Sequence, residues 1–324
     1  MLIRLTKSNY SLQLGLLILL ALSLWVRNFM VQEPIEIIEP QTFLYDSLFG
    51  WTKTNMLLAK ILTLMCVLLQ AFMLSEMVRV HSISKNSMSV ALIYVVLLSV
   101  QNGWQVLQPF MISNFFVIGG IWYLFKIYNE KEPYEKVFNA SILFALASLF
   151  SASLLPFGFI VFWIFLFYPI NQWREWLIAI LGFGFPFFIV FLWATLTENS
   201  DVFSEFSIQI MNFDSLEKIT ELSLSTQIFV SIVLVLSLVG IGFMQLRAKF
   251  SEISQRKKIT AMMLGIFWMV SVGLFTSYTT THLATLFIFS AFFIAEWLYR
   301  NERKWLSELV FYGFLIAAFG VQYL

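Results

Sequence analysis

The sequence predicts an all-α fold, a polytopic transmembrane helical bundle, and three observations predict it. Of the 324 residues, 60% are hydrophobic and 12% charged, whereas a soluble globular domain carries roughly 25% charged residues. The apolar stretches are continuous and reach the roughly 17–25 residues that a helix needs to cross about 30 Å of hydrocarbon. They lack the apolar/polar alternation over about 10 residues that marks the strands of a membrane barrel. Finally, the basic residues are sorted between the stretches by side.

Sixteen of the twenty Lys and Arg residues fall in alternate gaps between apolar runs. They are Arg4 and Lys7; Arg79 and Lys85; Lys126, Lys131 and Lys136; Arg174; Arg247, Lys249, Arg256, Lys257 and Lys258; and Arg300, Arg303 and Lys304. The intervening gaps hold Arg27, Lys53 and Lys218 against a majority of acidic residues, among them Glu33, Glu36, Glu39, Asp46, Glu198, Asp201 and Glu205. Basic loops are retained in the cytoplasm. The expected topology is therefore N-terminus in and C-terminus out, with about 11 membrane segments.

The first segment, 11–31, follows Arg4 and Lys7 as a signal peptide would. It is longer than a typical signal core and ends in Trp25-Val26-Arg27-Asn28, with no small-residue cleavage site. A retained anchor is expected. The second segment is 56–78. The third and fourth, 88–100 and 109–128, are joined outside by Gln101-Asn102-Gly103-Trp104. The fifth and sixth, 137–153 and 157–170, turn at Leu155-Pro156 and share only the residues between Lys136 and Arg174. Each leg is at the lower limit for crossing, so two full legs and a re-entrant hairpin both fit. In the seventh, 176–195, Gly182, Gly184 and Pro186 favour a kink and close packing. The eighth to eleventh are 226–246, 260–277, 283–299 and 305–323. The chain reads as a single transmembrane domain, 1–324, made of a module at 1–196, an outer segment at 197–225 and further spans at 226–324. Within the outer segment, Val202, Phe203, Phe206, Ile210, Phe213 and Leu216 recur at helical spacing, which suits an amphipathic helix in the interface.

Several chemistries are excluded. The net charge of +1 and the sorted basic residues leave no surface for nucleic acid. No Walker A run, His-Glu-x-x-His or Cys/His cluster is present, so neither metal nor cofactor is expected. His81 and His282 belong to opposite sides, and Cys66, the lone cysteine, reads as a small core residue. The middle of the spans lacks ionisable residues, which disfavours an ion-coupled small-molecule or lipid transporter.

What remains is the outer face. Asp46 and Glu39 are the candidate general bases. Arg27, Lys53, Lys60 and His282 are the candidate groups for a substrate or lipid phosphate. An acidic, solvated loop with snorkelling Arg27 and Lys53 accounts for the same residues, as does a polar helix end at Thr279 to His282. Lys60 lies just inside a span and calls for an anionic partner, with Asp46 or Glu39 in reach.

The first seven spans resemble the membrane module of the GT-C glycosyltransferases, polytopic enzymes that use polyprenyl-phosphate sugars. The likeness rests on the hairpin from Asn139 to Phe157, the turn containing Arg174, and the span bearing Gly182, Gly184 and Pro186. The stretch Tyr45-Asp46-Ser47-Leu48-Phe49-Gly50-Trp51 further resembles a family of multi-pass inner-membrane proteins from Bacteroidota. The resemblance implies a bacterial inner (cytoplasmic) membrane protein of envelope glycan or lipid-linked sugar metabolism. Its partners would be membrane lipid, polyprenyl-phosphate lipid and other membrane proteins in a complex. It also implies a catalytic Asp or Glu in the first outer loop, a role open here to Asp46 and Glu39. These lack the usual acidic pair, and no large outer domain follows, so a degenerate or accessory subunit is expected as readily as an enzyme. A scaffold subunit of an envelope secretion or motility complex is the alternative.

The topology is open to direct labelling. On a Cys66→Ala background, Pro40→Cys and Ile210→Cys should react with an impermeant maleimide added outside, and Lys85→Cys, Glu130→Cys and Ser254→Cys should not. External labelling at 254 would overturn the topology, since five basic residues surround that position.

Overall fold

The computed structural model describes residues 10–30, 42–84, 87–128, 130–166, 173–198, 224–246, 264–266, 279–301 and 303–323. Among them every regular element is helical. In chain order these are α1 (Tyr10–Met30), α2 (Phe43–Phe49), α3 (Met56–Val80), α4 (Ser87–Leu98), α5 (Pro109–Ile127), α6 (Tyr134–Phe150), α7 (Gly158–Phe165), α8 (Trp173–Leu196), α9 (Leu224–Leu246), α10 (Thr279–Arg300) and α11 (Lys304–Tyr323). Turns of 3-10 helix occupy Gly50–Lys53, Asn102–Gln105 and Ala152–Phe157. Six helices, α1, α3, α5, α8, α9 and α11, are long and apolar enough to cross a membrane. The amphipathic stretch 202–216, most of the ninth expected segment and the basic loop at 247–258 lie outside the described residues.

The centre of the bundle is α4. Met88 and every residue from Val90 to Leu98 are buried, because α1, α3, α10 and α11 pack around it. A helix that is apolar all round belongs in such a position. At twelve residues, or about 18 Å at 1.5 Å per residue, α4 is shorter than a membrane-crossing helix. The expected outer loop that follows it is also not outside. Ser99, Val100, Trp104, Gln105, Leu107 and Gln108 are all buried, so the third segment is completed by irregular backbone inside the bundle. Gln108 is extended (φ −119°, ψ 156°), as the residue before a proline prefers. Pro109 then opens α5 at a position where its missing N–H costs nothing.

The helices alternate in direction. The last turn of α1, the start of α3, the segment 99–108 and the end of α11 are joined by hydrogen bonds at one end of the bundle. At the opposite end His81 packs on Trp122 and Phe125, and Lys126 lies over the Trp122 and Tyr123 rings. Lys136 pairs there with Glu130. Of the gaps that the charge pattern assigned to one side, the described parts after α3 and after α5 meet at this end. The chain of α6 reaches the first end, where the Phe150 carbonyl accepts from Thr42. It then returns through Ala152–Phe157 and α7, whose Phe162 stacks on Trp176 at the start of α8 and whose Phe165 meets the same ring edge-on.

Two helix contacts depend on glycine. A Cβ at Gly182 would lie 2.9 Å from the Phe138 carbonyl oxygen, and one at Gly240 would lie 2.5 Å from that of Phe293. Backbone cannot yield as a side chain can, so both positions need close approach. Gly184, expected to share this role, faces open space. Accordingly, Gly240→Ala should lower stability by about 1–3 kcal/mol through overpacking. Gly184→Ala should be neutral or stabilising, by up to about 1 kcal/mol. Thermal unfolding of the purified protein in detergent, followed by tryptophan fluorescence, separates the two.

Candidate functional site

The candidate residues collect at the first end of the bundle, where helix termini leave carbonyls without intrahelical partners. Side chains from other elements supply the missing donors. Lys60, in the second turn of α3 and 3% exposed, donates from Nζ to the Asn28 carbonyl at 2.5 Å. That carbonyl belongs to the last turn of α1, so the ammonium caps the negative end of the helix dipole. Asn28 in turn donates from Nδ2 to the Gln105 carbonyl at 2.9 Å. Gln105 Nε2 reaches the Ser99 carbonyl at 2.7 Å. The same Ser99 oxygen accepts from Gln322 Nε2 at 2.5 Å, and Gln322 also bonds the Leu24 carbonyl. One chain of polar groups thus links α1, α3, the segment 99–108 and α11.

The short helix α2 lies across this end. Thr42 Oγ1 donates to the Phe150 carbonyl at 2.9 Å, and Tyr45 Oη donates to the Leu107 carbonyl at 2.8 Å. The Phe43 ring packs on Trp193 with centroids 4.7 Å apart and planes tilted by 34°. These contacts pin one face of α2 and turn Asp46 outward. Asp46 is engaged by Lys53 at 2.8 Å, and the two side chains are 44% and 48% exposed.

The sequence-predicted site is therefore only partly assembled. Asp46 and Lys53 pair with each other. Lys60 is buried as expected, but its described hydrogen bond goes to a backbone carbonyl, with Asp46 held by Lys53. Arg27 is half-buried in the last turn of α1. Glu39 lies outside the described residues. His282 falls in the first turn of α10, which begins at Thr279, so Thr279–His282 is a polar helix end, as the simpler reading of the sequence had it.

Sequence reasoning missed a second polar set in the interior. Tyr94 Oη donates to Gln70 Oε1 at 2.7 Å, and Gln70 Nε2 donates to the Met111 carbonyl at 2.5 Å. Thr285 Oγ1 donates to Asn114 Oδ1 at 2.9 Å. All four residues are fully buried, and together they cross-link α3, α4, α5 and α10. The signal was present: Gln70 and Asn114 are amides within otherwise apolar runs, overlooked because only ionisable residues were sought. Among the described residues no group of His, Cys, Asp and Glu has the makings of a metal site. Comparison with known protein families, characterised proteins and solved structures finds no match.

The buried bonds should matter more than the exposed ion pair. Asn28→Ala strands the buried Gln105 carbonyl and should cost about 1–3 kcal/mol. Lys53→Ala removes a solvent-screened pair and should cost less than about 1 kcal/mol. Thermal or denaturant unfolding in detergent measures both, and an equal loss would overturn this ranking.

Proposed function

We propose that this chain is a non-catalytic, membrane-embedded subunit of a bacterial cell-envelope complex, accessory to glycan or lipid-linked sugar metabolism. In this reading the bundle sits in the inner membrane with about 11 segments, N-terminus in and C-terminus out, GT-C-like in its first seven spans. The end carrying Asp46 faces outward, because the described basic residues Arg79, Lys126, Lys131, Lys136, Arg174, Arg303 and Lys304 lie in the gaps at the other end.

The observation that carries the non-catalytic part is how the first end is filled. A GT-C-like enzyme needs a base and phosphate-binding cations converging on one accessible site. Here the carboxylate of Asp46 is taken up by Lys53, and the ammonium of Lys60 is buried on the carbonyl of Asn28. The segment 99–108 and α2 lie across the helix ends there, bonded to α1 and to each other. Support for the sugar-metabolism part is the sequence resemblance alone. A scaffold of a secretion or motility complex draws on the same committed charges, and the identity of co-purifying, cross-linked membrane partners separates the two. The neutral interior set of Gln70, Tyr94, Asn114 and Thr285 gives no support to an ion-coupled transporter.

In a deletion strain, Asp46→Ala and Glu39→Ala should each restore the wild-type phenotype at normal membrane abundance. Loss of complementation with abundance intact would overturn the proposal and favour an enzyme.

A further inference from the structure

The segment 99–108 carries more unanswered polar groups than any other described stretch. Gln108 is fully buried, and neither its Oε1 nor its Nε2 has a hydrogen-bond partner. The same holds for Oε1 of Gln101 and of Gln105 and for Nε1 of Trp104. Trp25 on α1, also fully buried, adds an unpartnered Nε1. Native interiors leave few buried polar groups unsatisfied. Irregular backbone within a membrane bundle is tolerated where protein wraps it or where it lines a water-filled space. The backbone carbonyls of Ser99, Gln105 and Leu107 meet the first condition through Gln322, Asn28 and Tyr45. The side chains do not.

The chemistry of the set is specific. Trp25, Trp104 and Gln108 offer N–H donors, and Gln101, Gln105 and Gln108 offer carbonyl acceptors, with no formal charge among them. A cation would be served by acceptors alone and a phosphate by donors alone. A hydroxyl donates and accepts at once and so answers both kinds.

We infer that the segment 99–108 forms a hydroxyl-binding site inside this end of the bundle, filled by ordered water or by the hydroxyls of a sugar-bearing lipid headgroup. Trp104 is held for this by its edge contact with Phe287, with centroids 5.1 Å apart. The site does not depend on the proposed subunit role, because none of its residues is Asp46, Glu39 or Lys53.

Radiolytic footprinting of the purified wild-type protein in micelles tests the inference without a variant. Hydroxyl radicals arise from water, so Trp104 and Leu107, both buried, should be oxidised as readily as solvent-exposed residues. Protection of both, together with no gain in midpoint from octyl glucoside, would overturn the site. A second measurement uses Gln108→Leu, which keeps most of the volume and removes both polar atoms. If the site is occupied, the unfolding midpoint should fall by about 3 °C or more. If the segment is dry, removing two unmade hydrogen bonds should raise the midpoint, and that result also overturns the inference. Titrating octyl glucoside into amine-oxide micelles distinguishes the two fillings. A gain in midpoint for wild type that is absent in Gln108→Leu assigns the site to sugar hydroxyls, and equal responses assign it to water.

Discussion

The structure depends on one constraint: in an apolar bundle, carbonyls released at helix ends must find donors within the protein. At the end of the molecule where α1, α4 and α6 finish and α3 and α5 begin, nearly every described long-range side-chain hydrogen bond has the same form. A donor on one element meets a main-chain carbonyl on another. Lys60 to Asn28, Asn28 to Gln105, Gln322 to Ser99, Tyr45 to Leu107 and Thr42 to Phe150 all follow this pattern. Ser113 does the same for Ala147 in the last turn of α6. These bonds allow the chain to leave α-helical geometry at residue 99 while Ser99, Val100 and Trp104 to Gln108 stay buried. They also hold α2 across the bundle, and thereby decide that Asp46 points outward to Lys53.

The fold class and the order of the helices were legible in the sequence because a membrane imposes crude, long-range signatures: unbroken apolar runs and one-sided basic residues. Six of the expected segments coincide with helices long and apolar enough to cross a membrane, as from Pro109 to Ile127. The fate of residues 99–108 was not legible. Gln101-Asn102-Gly103-Trp104 has the composition of a surface turn. The burial of Ser99, Trp104 and Gln105 around it depends on partners remote in sequence, Gln322 lying 223 positions from Ser99 and Asn28 77 from Gln105. The same limit applies to Lys60. Burial of an ammonium calls for a partner, and that much could be read from sequence. Which acceptor it finds could not, since every residue carries a carbonyl and only tertiary structure brings that of Asn28 within reach.

The candidate site illustrates a different failure. Residue type singled out Asp46, Lys53, Lys60, Arg27 and His282 because charge near an outer mouth suggests chemistry. Burial ranks them otherwise. Asp46 and Lys53 form an exposed pair, screened by solvent and weak in energy. Lys60 is enclosed and bound, as a structural cation is. In and beside the segment 99–108 the groups with uncommitted hydrogen-bonding capacity are neutral amides and indoles, Gln108 and Trp104 above all, which charge alone does not single out.

Neutral groups suit this setting for a physical reason. A charge in the bundle interior must be paired or lost by titration, whereas an amide supplies direction and specificity at a lower cost of transfer from water. Gln70, Tyr94, Asn114 and Thr285 use that property to tie the central helix α4 and its neighbours α3, α5 and α10 in register, with hydrogen bonds of 2.5–2.9 Å. The register fixed there sets where α4 ends and where α5 begins. The irregular segment between them is consequently held at one depth, with its backbone satisfied by α1, α2 and α11 and its side-chain amides left available. A helix continued through residues 99–108 would have satisfied the backbone locally and left Asn28, Tyr45 and Gln322 without their acceptors. The break after α4 and the distant donors that surround it therefore form a single feature, each requiring the other.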